Sequence, residues 1–114
     1  MIIDQELAQQ IVDHLMGIVQ RNVNIMDCNG IILASGQPER LGQFHQGGLL
    51  AAQQRHVVEI EPLETQHFLG ALPGAMWPIV LREKVIGVVG VTGKPDEVRS
   101  TAQLVKIVTE LILE

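Results

Sequence analysis

The stretch VIGVVGVTG, residues 85–93, decides the fold of this chain. Residues 85–91 are apolar at odd and even positions alike, which is typical of a strand buried on both faces. Gly87 and Gly90 within it would let another backbone or a bound molecule come close. The preceding PIVL at 78–81, followed by REK, indicates a neighbouring strand joined by a hairpin. We therefore expect a central strand with an antiparallel partner.

Helical patterns lie on both sides of the strands. Residues 4–19 carry an apolar stripe with helical spacing, and Asp4 fits the N-cap position. Pro95 is a favourable first helical residue for a final helix. The apolar stripe that we expect to face the core in this last helix comprises Val98, Ala102, Val105, Val108 and Ile112.

The middle of the chain reads as short strands and a broken helix. NVNIMD at 22–27 and IILASG at 31–36 are predicted strands, and Asn29-Gly30 between them supplies the positive φ angles of a tight hairpin turn. HVVEI at 56–60 is a further short strand, and residues 39–54 look helical. Three glycines are expected to break that helix: Gly42, Gly47 and Gly48.

This order of elements predicts an α/β fold of the α+β kind. We expect a PAS-like central antiparallel sheet flanked by helices, with N- and C-terminal helices. The length of 114 residues predicts one domain, residues 1–114. PAS-like sensors and profilin-like or roadblock-like assembly domains share such an arrangement, so the fold alone does not choose a function.

The composition restricts the functional classes. With 46% hydrophobic residues the chain can build a core, and its net charge of −5 argues against direct contact with nucleic acid. Cys28 is the only cysteine, which excludes an internal disulfide and fits a reducing compartment. The acidic start is not a signal peptide, and no apolar run is long enough to span a bilayer. We therefore expect a cytoplasmic protein without a membrane segment.

The stretch SGQPERLGQFHQGG, residues 35–48, has the composition of an anion-binding cradle. Arg40 could hold a carboxylate through two parallel N–H bonds, and His45 could add a second cation or donor. Amides near the glycines could point at the same anion, and Ser35 could read a hydroxyl group. The alternative is that Arg40 is solvated, His45 packs on the surface and the glycines serve turns only.

The same residues carry a family resemblance. NVNIMDCNGIILASGQPERLGQFHQGG resembles the opening of the sugar diacid recognition domain, the N-terminal part of the carbohydrate diacid regulator family of bacterial transcription factors. The positions that match the family pattern are Asn22, Asn24, Met26-Asp27, Gly30, Ser35-Gly36, Glu39-Arg40-Leu41-Gly42 and His45. A second set of matches lies at Pro78-Ile79, residues 86–93 and residues 110–113.

The resemblance implies a sensory domain that binds a small carboxylated sugar acid of the glucarate, galactarate or glycerate type. It implies no catalysis, cofactor or metal, and it places DNA binding in a separate helix-turn-helix domain of longer relatives. The expected ligand-binding residues are Ser35, Gly36, Arg40, Gly42, His45, Gly47 and Gly48. The chain departs from the pattern at Gln46 (glutamate in the family), Gly48 (alanine) and Met76 (asparagine), which leaves the identity of the effector open.

Three other readings remain at this point. An enzyme would draw on His14, His45, His56 or His67 as bases and on Cys28 as nucleophile, although none of them has a metal-ligand spacing. A ligand-free dimerisation module of roadblock-like or profilin-like type would leave Arg40 free to vary. A nucleotide loop at GVVGVTG is disfavoured because those glycines lie along a predicted strand.

The last helix also offers a surface for self-association. Leu104, Val108 and Leu111 form an apolar line beside the stripe that faces the core. We expect a homodimer built on the terminal helices.

Overall fold

The computed structural model describes residues 2–114 and contains a five-stranded antiparallel sheet with helices on both faces. The elements in chain order are α1 (Gln5–Val19), β1 (Val23–Met26), β2 (Ile32–Ser35), α2 (Gln46–Gln54), β3 (Val58–Ile60), β4 (Gly74–Leu81), β5 (Lys84–Thr92) and α3 (Pro95–Leu113), with 3₁₀ turns at Pro38–Arg40 and Pro62–His67. The strand order is β2-β1-β5-β4-β3. The predicted α+β architecture is therefore confirmed.

Strand β5 lies in the centre of the sheet, as its apolar run predicted. It pairs with β1 on one side and with β4 on the other, so both of its edges are hydrogen-bonded. Val89 and Val91 face a core shared with α1 and α3. Val88 belongs to a smaller core on the opposite face, under α2. The chain thus forms three layers: two helices, the sheet, and α2 with its flanking loops.

The hairpin between β1 and β2 forms where predicted, but by a different turn. Gly30 has a φ of 81°, whereas Asn29 does not adopt a positive φ. The Asp27 carboxylate accepts hydrogen bonds from the main-chain N–H groups of Asn29 and Ile31, at 2.9 and 3.0 Å. The expected pair of positive φ angles at Asn29-Gly30 is therefore wrong, because an aspartate side chain stabilises the turn instead.

The interrupted helix between β2 and β3 also differs from the prediction. Gly42, with a φ of 80°, does end the first segment after the 3₁₀ turn Pro38–Arg40. Gly47 and Gly48 do not break α2, because the helix begins at Gln46 and includes both. Their lack of side chains serves close packing on the sheet.

The terminal helices begin as expected. The Asp4 side chain caps α1 by accepting from Leu7 N at 3.1 Å, and Pro95 opens α3. The predicted core stripe of α3 holds through Val108, which is partly buried against the core, but fails at Ile112, which is 50% exposed. Thr109 is buried instead, with its hydroxyl donating to Val105 O. No helix in residues 2–114 combines the length and apolarity needed to cross a membrane.

Candidate ligand-binding site

Arg40 is a buried cation with spare hydrogen-bonding capacity. It closes the 3₁₀ turn Pro38–Arg40 and is only 8% exposed. One terminal nitrogen, Nη2, donates to the Gly70 carbonyl at 3.1 Å. The other, Nη1, is buried and has no hydrogen-bond partner within residues 2–114. Burial lowers the pKa of the guanidinium, with Glu39 opposing this, yet an arginine stays charged in proteins. A buried positive charge of this kind favours an anionic partner.

His45 lies beside Arg40 as a neutral ring. It is 3% exposed and caps α2, with Nδ1 accepting from Gly48 N at 3.2 Å. Burial and then the Arg40 charge lower its pKa to about 4, against a backbone hydrogen bond that raises it. Because Nδ1 accepts, the ring proton of the neutral form is on Nε2. His45 therefore acts as a neutral donor at pH 7, and the second cation that the sequence allowed is absent at this position.

The glycines at the start of α2 bring the helix directly onto the sheet. A Cβ on Gly48 would lie 2.5 Å from Met26 Sδ, and one on Gly47 would lie 2.7 Å from Ile60 Cδ1 and 2.9 Å from Met76 Cε. These distances are too short for a real Cβ atom, so a side chain at either position would require its neighbours to move. The Gly48 amide is already bonded to His45, so the expected cradle of glycine amides is partly occupied by the helix cap.

The segment after the second 3₁₀ turn, residues 68–71, crosses the same region. Gln46 N donates to Leu69 O, and Leu69 N donates to Gln46 Oε1, both at 2.9 Å. Arg40 fixes the adjacent Gly70 carbonyl. The departure from glutamate at Gln46 preserves this contact, because it uses only a side-chain oxygen that either residue supplies.

A network of polar side chains runs along the end of the β1–β2 hairpin opposite its turn. The Ser35 hydroxyl donates to Asn24 Oδ1 at 2.6 Å and accepts from Gln37 N at 3.0 Å. Asn22 Nδ2 donates to Asn24 Oδ1 at 3.1 Å and to Thr92 Oγ1 at 3.4 Å. Ser35 and Asn24 are each 3% exposed. The Ser35 hydroxyl proton is thus already used within the fold.

The remaining predicted site residues lie at the surface. Gly36 is exposed, and its N–H donates to the Val23 carbonyl at 3.3 Å. Gly42 is exposed, and a Cβ there would meet no atom within 4 Å. The structure brings Arg40, His45 and Gly47 together, with Gly48 engaged in the cap.

The predicted ligand-binding residues did not include three others that lie in this region, Asn22, Gln37 and Met76. Asn22 and Gln37 each carry a buried side-chain oxygen without a hydrogen-bond partner in the described chain. Met76, 2% exposed, lies under the start of α2, at the position where the sequence analysis expected asparagine. The matches of Asn22 and Asn24 to the family pattern could have indicated this polar network, but the sequence analysis interpreted both only as strand residues.

A separate groove of about 470 Å³ lies at the β4–β5 turn, beside the end of α3. Its walls include Val80, Ile86, Ile107 and Leu111, and Arg82 and Lys84 lie at its charged margin. It contains none of the predicted ligand-binding residues.

The fold places the chain in a structural class. It matches the cofactor-binding GAF domain of the nutrient sensor CodY from Clostridium difficile with a TM-score of 0.64, at 12% identity, over 93% of this chain and 83% of that one. It matches a type II free methionine-R-sulfoxide reductase from Thermoplasma acidophilum with a TM-score of 0.66, at 15% identity, over 93% and 92%. The fold is therefore of the GAF/PAS-like kind, and at these identities the likeness is one of fold alone.

The sequence places the chain in a family. Residues 3–114 match the family described as "Putative sugar diacid recognition". The chain is 38% identical over 112 residues to the carbohydrate diacid regulator of Escherichia coli (strain K12), covering 98% of this chain and 29% of that protein. It is 44% identical over 115 residues to an uncharacterized protein of Haemophilus influenzae, covering 100% and 31%.

The chain belongs to the sugar diacid recognition family, as its motifs predicted. It spans about three tenths of the length of these curated relatives.

Proposed function

We propose that residues 1–114 form one sensory domain of a bacterial transcriptional regulator, and that this domain binds a small carboxylated sugar acid of the glucarate, galactarate or glycerate type. The observation that carries the proposal is Arg40, a buried cation whose Nη1 group lacks a partner in the described chain. A carboxylate would neutralise this charge and accept the unused N–H groups. Membership of the sugar diacid recognition family supports the same ligand class.

The neighbouring groups complete a site for an acid. His45 Nε2–H offers a neutral donor beside Arg40, and its neutral state avoids placing two buried cations together. Met26 and Met76 fill the space under the start of α2, and their flexible side chains could move to admit a carbon chain beside Gly47. We assign the ligand contacts to Arg40, His45 and Gly47, with Ser35, Gly36, Gly42 and Gly48 shaping the backbone around them.

We propose a non-enzymatic role for the domain. Cys28 lies in the β1–β2 turn, and its thiol donates to the Val85 carbonyl at 3.4 Å. Partial burial and the Asp27 carboxylate raise the pKa of this thiol, which disfavours the reactive thiolate. An enzyme that used Cys28 as its nucleophile would need a lowered thiol pKa.

The regulator would act as a dimer in the cytoplasm. Leu104 and Leu111 of α3 are 58% and 65% exposed, and Ile18 of α1 is 77% exposed. Exposed apolar side chains on both terminal helices favour a second copy as the partner. DNA contact belongs to a separate helix-turn-helix domain, consistent with the net charge of −5 here.

Calorimetric titration of the domain against a panel of sugar acids tests this function. We expect saturable heat from at least one carboxylated sugar and none from the corresponding neutral sugar alcohols, because Arg40 requires a negative charge. Folded protein that binds no acid in the panel would overturn the proposal. That result would favour the ligand-free dimerisation module.

A further inference from the structure

The Arg40 site is closed to solvent in this structure. Arg40 is 8% exposed and His45 is 3% exposed, so water hardly reaches the two side chains that would contact an acid. A sugar acid is larger than a water molecule and cannot reach such groups in a fixed structure. Some part of the chain must therefore move before an acid can bind at Arg40.

Residues 62–72, which we call the strap, lie directly on this site. The strap comprises the 3₁₀ turn Pro62–His67 and the residues that follow it. Gly70 O accepts from Arg40 Nη2 at 3.1 Å. A Cβ added to Gly70 would collide with Phe44 O and lie 3.6 Å from His45 Cα. The backbone of the strap thus contacts both the guanidinium and the residue that caps α2.

Few hydrogen bonds attach the strap to the domain. In residues 2–114, three join it to parts of the chain beyond its immediate neighbours: one from Arg40 to Gly70, and two between Leu69 and Gln46. In the second pair, Gln46 N donates to Leu69 O and Leu69 N donates to Gln46 Oε1, both at 2.9 Å. The Gln46 bonds hold the strap against the start of α2 without using the guanidinium.

The strap also buries little apolar surface. No residue of its 3₁₀ turn is buried, and Leu63 and Leu69 are 88% and 71% exposed. Phe68 and Ala71 pack against the small core under α2 but are only partly buried. A segment with so few buried contacts opens at a free-energy cost well below that of global unfolding. The strap is therefore suited to move while the sheet and α2 stay folded.

We propose that the strap is the gate of the Arg40 site, which opens to admit an acid and closes again over the bound molecule. The Gly70 carbonyl accepts only from Nη2, so Nη1 remains for the ligand when the strap is closed. The two bonds between Leu69 and Gln46 then hold the gate without taking part in binding. This inference rests on the proposed function of the Arg40 site.

A gate of this kind has a kinetic signature. Weakening the closed strap raises the open fraction of the domain to the same extent with and without ligand. Association and dissociation therefore accelerate by the same factor, and the Kd is unchanged. Loss of a group that contacts the ligand would change the Kd instead.

The kinetic test uses Gln46→Ala, which removes the acceptor of Leu69 N and keeps the main-chain bond to Leu69 O. Rapid-mixing experiments would measure both rate constants with glucarate, galactarate and glycerate as probes. We expect both to rise roughly two- to tenfold, the effect of one lost hydrogen bond, with the Kd constant within about twofold. The matched control is Gln53→Ala, at an exposed glutamine of the same helix, which should leave both rates unchanged.

Hydrogen exchange tests the opening without any ligand. The main-chain amide of residue 46 donates to Leu69 O, so it is protected only while the strap is closed. We expect it to exchange faster than the amide of Ala51 in the middle of α2, and severalfold faster still in Gln46→Ala. Equal exchange at residues 46 and 51 of the wild type would overturn the gate whether or not an acid binds.

The remaining outcomes separate the gate from the function beneath it. Unchanged rates in Gln46→Ala, or a raised Kd with an unchanged association rate, would overturn the gate while leaving acid binding intact. Failure of every acid in the panel to bind would overturn the proposed function, and the gate with it. Fast exchange at residue 46 would in that case still show that the strap opens.

Discussion

Replacing Arg40 by methionine should weaken acid binding strongly while leaving the unliganded domain about as stable as before. Methionine keeps most of the side-chain length and removes the charge. It loses the hydrogen bond to the Gly70 carbonyl, which costs about 1.5–3 kcal/mol for a charged donor. It also removes a buried cation, whose desolvation costs several kcal/mol. Because these contributions oppose each other, we expect the free energy of unfolding to change by no more than about 1 kcal/mol.

In acid binding, no gain offsets the interaction that Arg40→Met removes. Loss of the charged hydrogen bond to a carboxylate should cost about 1.5–3 kcal/mol. The Kd would then rise roughly 10- to 150-fold. Arg40→Lys should recover part of this affinity, since an ammonium keeps the charge but cannot present two parallel donors. Titration calorimetry gives the Kd values, and thermal unfolding without ligand gives the stability.

The matched control is Arg82→Met, at an exposed arginine in the β4–β5 turn. It removes the same charge from the protein without touching the site, so affinity should be unchanged. The reasoning is refuted if Arg40→Met lowers the unliganded Tm by many degrees and retains affinity. About 4 °C corresponds to about 1 kcal/mol in a domain of this size. A larger fall would make Arg40 a structural residue that supports the loop at Gly70.

Three further predictions follow from the buried and exposed positions of side chains. Acidification from pH 6.5 to about 4 should lower the free energy of unfolding by up to about 3 kcal/mol, because His45 takes up a proton in the unfolded state but stays neutral in the folded one. His45→Asn, which can still cap α2, should reduce this pH dependence of stability in denaturant titrations. An unchanged pH dependence would contradict the assignment. Gly47→Ala should reduce acid affinity and destabilise the domain by about 1 kcal/mol through overpacking. Gly17→Ala in α1, where an added Cβ meets open space, should instead stabilise the domain by about 0.5–1 kcal/mol. Equal shifts in Tm for the two variants would contradict this prediction. Leu104→Glu with Leu111→Glu should shift sedimentation from dimer to monomer, and a wild type that remains monomeric at high concentration would exclude the proposed interface.

Much of the fold was predictable because local signals agreed with the global arrangement. The apolar run in β5, the cap at Asp4 and the proline at Pro95 each indicate the element that forms. The prediction failed where a distant contact decides the outcome. Gly47 and Gly48 look like helix breakers in isolation, but both lie in α2, where Met26 and Met76 leave no space for larger side chains. Sequence alone does not reveal such a contact between separate elements.

The candidate site was only partly predictable for the same reason. Arg40 and His45 were recognisable from the composition of residues 35–48, but their burial and the effect of Arg40 on the pKa of His45 depend on tertiary packing. The neutral state of His45 follows from that packing and could not be read from its neighbours in sequence. Asn22 was overlooked because its unused oxygen results from three hydrogen bonds that join β1, β2 and β5.

The candidate site concentrates groups that disfavour folding in the absence of ligand. Arg40 buries a charge whose Nη1 group has no partner among residues 2–114. Two successive glycines in the first turn of α2 add a propensity cost of about 1 kcal/mol each. A carboxylate supplies the missing anion, so its binding removes a penalty that the unliganded fold tolerates. Affinity and thermal stabilisation by ligand should therefore rise together across a series of acids.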